Sequence, residues 1–332
     1  MSWGQQAVST MLLATIASAG AAAPPSQPYL GQKPPGLSAE LFAPGLVSTD
    51  AVELNSVFTP DGREFFFTRL TEGPDEQEVY PGKTRPILFH MVFEDDAWAE
   101  PRPLRLFPDA PDAMAADMSV SPDGQRLYFM GRHSVDADRN RDDLNIWVSR
   151  REDGKWSIAE PLPAPINTKA NEIYSSVVAD GSLYFTSNRP GSSATGASGL
   201  YRAQALDDGG FAEPVNAGIE PDRGLGDTFV APDESYAIFT GRREGGFGGG
   251  DLWVAFRDAE GNWGEPVNLG PEVNSEILDY CPMVTPDGKY LFLSRRSSDP
   301  PGGGWSSVAT GDVYWVDAAV IERLRAAVLE HR

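Results

Sequence analysis

The sequence contains one cysteine, Cys281, and three histidines among 332 residues. A single thiol cannot form an internal disulfide, and so few cysteines and histidines cannot supply the usual ligands of a zinc site. Cys281 precedes Pro282 in a strand-like stretch, where a buried structural thiol is the expected role. The sequence therefore predicts neither a disulfide nor a zinc centre.

Basic residues and long hydrophobic runs are also scarce. Lys and Arg number 27 against 48 Asp and Glu, which gives a formal net charge of −21 at pH 7. Such a surface repels phosphate backbones and anionic lipids, so nucleic acid is not an expected partner. No apolar stretch is long enough to span a bilayer, so membrane insertion is not expected either.

A short apolar stretch lies near the start of the chain, at residues 7–17. Ala19-Gly20-Ala21 follows, a small-x-small pattern that suits signal peptidase. No Lys or Arg precedes the stretch, which departs from the usual pattern. We interpret residues 1–21 as a signal peptide, residues 22–36 as a flexible leader and residues 37–332 as one domain. This predicts a periplasmic or secreted protein.

Turn-forming residues, by contrast, are abundant, with 34 Gly and 28 Pro. Five segments share a tight turn whose Asp recurs every 53 to 62 positions. In such a turn Pro presets φ, Asp caps the turn and Gly accepts a positive φ. The turns are Thr59-Pro60-Asp61-Gly62, Ser121-Pro122-Asp123-Gly124, Val178-Ala179-Asp180-Gly181, Ala231-Pro232-Asp233-Glu234 and Thr285-Pro286-Asp287-Gly288.

Apolar runs flank each turn, and a third and a fourth strand-like run follow. The fourth starts on an aromatic residue and reaches Glu-Pro, as in Trp263-Gly264-Glu265-Pro266. Four antiparallel strands per unit, repeated around a ring, predict an all-β, five-bladed β-propeller. The predicted blades cover about residues 53–110, 117–170, 172–224, 227–276 and 279–316.

The fifth unit lacks a fourth strand after Trp315. The N-terminal piece Ser38–Pro44 resembles one, so residues 38–50 are predicted to supply the closing strand and protect the edge of the last blade. Apolar residues at Val320, Ile321 and Leu324 follow a helical period and predict a short C-terminal helix.

The repeated motifs resemble the WD40-like propeller repeat of bacterial periplasmic proteins, the type found in the TolB propeller. They are Ser/Thr-Pro-Asp-Gly-x-x-Leu-Tyr-Phe, as in Ser121–Phe129, then a Gly-rich loop, Asp-Leu/Ile-Trp and Trp-x-x-Pro, over about residues 38–320. The resemblance implies the propeller fold. Its motifs are structural, so it names no catalytic residue. TolB has a further N-terminal domain and more blades, which this repeat pattern does not include.

An acidic residue precedes each first strand and an arginine ends each second strand. The two strands form a hairpin, so we expect five acid–arginine pairs around one mouth of the channel. These pairs could be ion pairs that hold the blades together, or a polar rim that binds a ligand. The residues are Glu53, Arg69, Asp117, Arg132, Glu172, Arg189, Asp227, Arg242, Asp279 and Arg295.

The loops after those arginines are long and dissimilar, so ligand binding is expected on their face. One loop has oxygen ligands at alternate positions, as calcium loops do, at Asp136, Asp138, Asn140 and Asp142. Two arginines in this loop reduce its negative charge, so the sequence is compatible both with a calcium site and with a solvated loop that binds no metal. No other cofactor is predicted. Residues 245–250 lack the Lys and the helix of a phosphate loop and are interpreted as a flexible connection.

These observations favour an exported, non-catalytic binding or scaffolding propeller whose long-loop face engages a protein, peptide or glycan. The alternative is an enzyme like the five-bladed glycoside hydrolases, with the ring carboxylates at the channel mouth. An arginine partner lowers the pKa of a carboxyl group, the wrong direction for a general acid. The repeat-matched arginines therefore favour binding over catalysis.

Overall fold

The computed structural model describes residues 24–72, 84–110, 113–133, 143–190, 198–219, 225–296 and 310–330. The predicted signal peptide and the calcium candidates Asp136, Asp138, Asn140 and Asp142 lie outside these ranges. Within them, no helix has the length and apolar character needed to cross a membrane.

Each predicted tight turn joins the first and second strands of its repeat. In the first, Asp61 Oδ1 accepts hydrogen bonds from Thr59 Oγ1 at 2.6 Å and from the Arg63 amide at 3.0 Å. Gly62 then takes a φ of +68°, a region that favours glycine. In the fourth turn Glu234 stands at the glycine position with a φ of +58°. The turn geometry thus holds even where its usual residue is missing.

The described strands form four sheets, three of which follow the chain in antiparallel order. One contains β7 (Met114–Val120), β8 (Arg126–Arg132), β9 (Asn145–Glu152), β10 (Lys155–Trp156) and β11 (Glu160–Pro161). The next contains β12 (Glu172–Val177), β13 (Leu183–Ser187), β14 (Gly199–Ala203) and β15 (Val215–Asn216). The third contains β16 (Thr228–Val230), β17 (Tyr236–Gly241), β18 (Asp251–Phe256) and β19 (Val267–Asn268).

The largest sheet has two antiparallel halves joined by one parallel bridge, Val52 to Gly311. One half contains β2 (Val52–Phe58), β3 (Glu64–Glu72), β4 (Thr84–Glu94), β5 (Ala97–Trp98) and β6 (Arg102–Pro103). The other contains β20 (Asp279–Val284), β21 (Tyr290–Arg296), β22 (Gly311–Asp317) and the N-terminal strand β1 (Glu40–Leu41). Because β1 pairs antiparallel with β22, the first and last parts of the chain share one sheet.

Hydrogen bonds connect the first hairpins of neighbouring sheets in a closed circle. The Met118 amide donates to Asn55 Oδ1, and the hydroxyls of Ser119 and Ser175 lie 3.1 Å apart. The circuit continues from Ser176 Oγ to Thr228 O, from the Cys281 amide to Asp227 Oδ2, and from the Asn55 amide to Ser294 Oγ. Antiparallel sheets arranged around one axis in this way make a β-propeller.

Apolar side chains fill the spaces between neighbouring sheets, with Phe66, Phe129, Phe185, Phe239 and Phe292 among the fully buried residues. The described residues contain a short 3-10 helix at Pro28–Gly31 and one α-helix, α1 (Ala319–Glu330), which follows β22 directly. It buries Val320 and Ile321 against the sheets. The second strand of each hairpin ends opposite its tight turn, and the long connections begin there, so the two faces of the molecule differ.

Candidate functional site

Three of the five expected acid–arginine pairs form. Glu53 Oε1 lies 2.7 Å from Arg69 Nε, and Asp279 Oδ1 lies 2.7 Å from Arg295 Nε. Glu172 Oε1 lies 3.3 Å from Arg189 Nη2. All three carboxylate side chains are fully buried. Burial raises the pKa of Glu172 and of Asp279.

Each pair also ties down the segment that leads into its first strand. Glu53 accepts hydrogen bonds from the amide and hydroxyl of Thr49, and Glu172 does the same with Thr168. Arg189 Nη2 donates to the Ile166 carbonyl at 2.7 Å. The side chains of these pairs are therefore hydrogen-bonded to other groups of the protein. The partners of each pair belong to the same hairpin, so of the two expected roles the geometry favours a structural ion pair, one that joins a hairpin to the segment leading into it.

The expected pairs of Asp117 with Arg132 and of Asp227 with Arg242 do not form. Met114, not Asp117, lies opposite Arg132 in the β7–β8 register. Arg242 is exposed, and its Nε donates to the Gly249 carbonyl at 3.0 Å. The reason is position: Asp117 and Asp227 lie six residues before their turn Asp, whereas Glu53, Glu172 and Asp279 lie eight before theirs.

In the fourth repeat Arg243 takes the place that Arg242 was expected to have. Its guanidinium lies 5.0 Å from the ring centroid of Phe239 and 5.4 Å from that of Trp253. Arg189 stacks in the same way, at 4.9 Å from both Phe185 and Tyr201. The adjacent arginine was a plausible choice from sequence, because only the stacking contact distinguishes the two.

The position six residues before each turn Asp holds a different polar residue in nearly every repeat. A β-bulge interrupts the pairing there in β2, β7, β12 and β20, and the bulged residue has a positive φ of 44° to 52°. A bulge re-aims its side chain, here towards the centre of the ring. We call these five buried side chains the axial residues: Asn55, Asp117, Tyr174, Asp227 and Cys281.

The axial residues contact one another across the ring. Cys281 Sγ lies 3.3 Å from Asp227 Oδ2 and 3.7 Å from Asp117 Oδ1. The Tyr174 hydroxyl donates to the Pro282 carbonyl at 2.8 Å and accepts from Asn55 Nδ2 at 3.5 Å. Side chains from all parts of the ring thus meet in one polar cluster, which sequence reasoning missed. Counting positions back from the turn Asp was the signal that could have found it.

Burial governs the electrostatics of the axial residues. Burial, together with the neighbouring Asp227 carboxylate, raises the pKa of Asp117 well above its usual value. Burial raises the pKa of Asp227 to about 6, and it raises those of Cys281 and Tyr174. The carboxyl pair therefore favours holding a proton, and Cys281 stays a thiol. Among the described residues, no grouping of His, Cys, Asp or Glu side chains could hold a metal ion.

The glycine-rich segment 245–250 is packed, which corrects its interpretation as a flexible connection. Asp251 accepts hydrogen bonds from the Phe247 amide at 2.7 Å and the Gly248 amide at 3.1 Å. A Cβ at Gly248 would lie 2.7 Å from the Ile277 carbonyl oxygen. Glycine is needed there because the backbone of this loop touches the backbone that leads into β20.

No protein-family model and no curated protein matches the chain. Among solved structures it is similar to TolB from Acinetobacter baumannii, at 16% identity and a TM-score of 0.44, over 76% of this chain and 51% of that one. It is also similar to a putative TolB from Agrobacterium tumefaciens, at 12% identity and 0.48, over 81% and 91%. A third is the β-propeller domain of the Trilobed protease from Pyrococcus furiosus, at 11% and 0.36, over 81% and 70%.

The ring of antiparallel sheets makes the fold a β-propeller, and the structures to which the chain is similar include TolB. At these identities the likeness concerns the fold alone, and this chain spans about half the length of the Acinetobacter protein. The ligand and the chemistry of the protein have to be argued from its own residues.

Proposed function

We propose that the protein is an exported, non-catalytic binding propeller of five blades, one for each of the two halves of the large sheet and one for each smaller sheet. It engages a protein, peptide or glycan at the long-loop end of its axis. In this proposal residues 1–21 direct export and are removed, which places the mature protein in the periplasm or outside the cell.

The observation that carries the proposal is the contrast between the ion pairs and the axial residues. Features that repeat serve the fold, whereas a ligand site breaks the repeat, and the axial position varies between units. Asp117 and Asp227 form no ion pair with a described residue, and Cys281 contacts one oxygen of each, so the second oxygen of each suits a ligand that donates hydrogen bonds, such as sugar hydroxyls or peptide amides. The axial cluster would form the floor beneath the long loops.

The test is a binding screen on glycan and peptide arrays with the mature chain. The variant Asp117→Asn with Asp227→Asn replaces two carboxyls by amides of equal size, and Asp50→Asn is an exposed control. We expect the double variant to melt cooperatively, as the parent does, but to lose at least about tenfold in affinity for any hit, equal to about 1.4 kcal/mol. Unchanged affinity in a folded double variant would contradict an axial site.

Export is tested separately by expression of the full chain in a Gram-negative host. We expect the periplasmic fraction to contain a product that begins near residue 22. A cytoplasmic product that retains residues 1–21 would contradict export and would leave the axial site to be judged by the binding screen alone.

Calcium binding by Asp136, Asp138, Asn140 and Asp142 stays a proposal based on sequence. Calorimetric titration of the metal-free protein with calcium tests it. Heat of binding that is lost in Asp138→Asn would support the loop as the site. A titration without heat, together with an unchanged melting temperature, would contradict it.

One observation favours a second candidate, a glycoside hydrolase-like enzyme. Asp227, with its pKa raised by burial to about 6, and the neighbouring Asp117 form a carboxyl pair that could donate and accept a proton. A panel of aryl glycosides tests this candidate. Turnover that Asp227→Asn abolishes would favour the enzyme, whereas ligand binding without turnover would favour the binding propeller.

A further inference from the structure

A groove of about 570 Å³ lies on the tight-turn face, opposite the long loops. It runs between the sheet that contains β3 and β4 and the hairpin of β9 and β10. Its walls include Leu104, Leu106 and Val92, and Trp156 lies at its base. Small-molecule sites commonly have volumes of about 300–1,000 Å³ with a few polar groups on apolar walls, so the groove has a suitable size.

The floor of the groove is a fixed network around one buried carboxylate, Glu64. His90 Nε2 lies 2.7 Å from Glu64 Oε2, and Trp156 Nε1 donates to the same oxygen at 2.9 Å. Arg151 Nη2 donates to Oε1 and its guanidinium stacks on the Trp156 ring at 4.4 Å. Although burial opposes it, hydrogen bonds from His90, Trp156 and Arg151 lower the pKa of Glu64 to about 2. The charge of Glu64 is thus balanced from within the protein.

The rim of the groove is basic, which is unusual on this chain. Four Arg or Lys residues line the groove against three Asp or Glu residues, although the whole chain carries a net charge of −21. Arg105 and Lys155 are exposed, and neither forms an ion pair with a described residue. The lining carboxylate of Asp61 is already occupied in its turn, and with exposed Glu94 included the lining still carries one net positive charge. The two rim cations therefore remain available to an anion from solution.

We propose that this groove is a second ligand site, which takes a small molecule with a carboxylate or phosphate group. Arg105 and Lys155 bind the anionic group, and the apolar walls hold the body of the ligand. Charge-assisted hydrogen bonds of this kind are about twice as strong as neutral ones. The site lies on the face opposite the axial one, so it does not depend on the function proposed above.

The experiment compares three sugars with the same ring: glucuronate, glucose phosphate and glucose. Binding to the mature chain is followed by calorimetry and by ligand-observed NMR. We expect at least one of the two anionic sugars to bind and neutral glucose to bind at least about tenfold more weakly, equal to about 1.4 kcal/mol. Preference for glucuronate identifies a carboxylate ligand, and preference for glucose phosphate identifies a phosphate ligand. Added salt should weaken binding, because the rim is exposed.

The deciding variant is Arg105→Ala with Lys155→Ala. Its matched control is Lys33→Ala with Arg323→Ala, which removes the same two exposed charges elsewhere on the surface. We expect the groove variant to lose binding and the control to keep it, with both melting as the parent does. Equal binding of glucose and its anionic relatives, equal binding by the groove variant, or no binding of either anion would overturn the proposal.

Discussion

At the residue scale, a shift of two positions separates a structural carboxylate from an axial one. Glu53 pairs with Arg69 within one hairpin and accepts a hydrogen bond from the hydroxyl of Thr49 in the segment before it. Asp117 and Asp227 lie two positions nearer the turn. Asp117 is on a β-bulge and Asp227 directly precedes β16, and both face the thiol of Cys281. A carboxyl group that lies close to another in a buried site favours its protonated form. Similar acids in similar repeats thus have different partners, an arginine in one set and a thiol in the other.

The axial pair should make stability depend on pH. The pKa of Asp227 rises from 3.8 to about 6 on folding, so the folded state binds the proton more tightly than the unfolded state does. This contribution is complete below about pH 4 and is lost as the pH rises through about 6. Asp227→Asn should therefore raise the free energy of unfolding at pH 8 by on the order of 2 kcal/mol, and this gain should vanish near pH 4.

Urea unfolding at the two pH values measures this difference. Asp50→Asn, an exposed change of the same charge, should alter the free energy of unfolding by less than about 0.5 kcal/mol at either pH. A destabilised Asp227→Asn at pH 8 would mean that Asp227 is ionised and stabilising in the fold.

Gly248 illustrates a residue that is required by close packing. A methyl group there would meet the backbone of Glu276 and Ile277 at 2.7 Å, so Gly248→Ala forces the loop away from the segment before β20. We expect a loss of about 1–3 kcal/mol in the free energy of unfolding, as for other overpacked sites. A methyl group at Gly36 would have no neighbouring atom within 4 Å, so Gly36→Ala is the matched control. Equal stability of the two variants by thermal melting would contradict the packed loop.

At the scale of elements, β1 is one of several two-residue strands, but it joins the first part of the chain to the last. It contributes two residues to the sheet, yet Phe42 directly after it is fully buried. The Phe42 ring lies 4.8 Å from that of Phe292, 5.1 Å from that of Trp315 and 5.4 Å from that of Phe65. Phe292 and Trp315 belong to the last strands of the chain and Phe65 to one of the first, so Phe42 packs against both ends of the propeller. The N-terminal segment therefore closes the fold by packing as well as by pairing.

Truncation of Phe42 tests this closure. Phe42→Ala should lower the free energy of unfolding by about 3–5 kcal/mol, because it leaves a cavity between two sheets. Leu329 on α1 is 65% exposed, so Leu329→Ala should have little effect. Removal of residues 22–50 should lower the melting temperature further than either change. A shortened chain that melts with the parent would mean that the ring does not need this segment.

At the scale of the whole molecule, the ring divides its residues between two faces and an axis. The tight turns crowd one face, where the basic groove lies between two sheets. The long connections begin at the other face, above the axial residues. The chain as a whole has a net charge of −21, so the positively charged lining of the groove differs in sign from the rest of the protein. This arrangement separates the two proposed sites on opposite faces of the propeller.

Much of the fold could be read from local chemistry. The Pro-Asp-Gly turns, the alternating apolar runs and the aromatic starts of the outer strands each depend on neighbours in sequence. Glu53, Glu172 and Asp279 were also predictable partners of arginines, because a hairpin brings its two ends together. The residue types gave no sign of the axial cluster, because a bulge shifts the side-chain direction whatever residue occupies it; only the constant distance of six positions before each turn Asp marked these residues.

The sequence by itself determined the repeat, the turns and the acid–arginine pairs of three repeats, because each follows from contacts within one hairpin. It also predicted the closing strand, because the last repeat lacks a fourth strand and the N-terminal segment resembles one. Only the tertiary structure decided that Asn55, Asp117, Tyr174, Asp227 and Cys281 meet, and that Arg105 and Lys155 share one groove. Those contacts join residues from different sheets, and their geometry depends on how the closed ring places every sheet against the next.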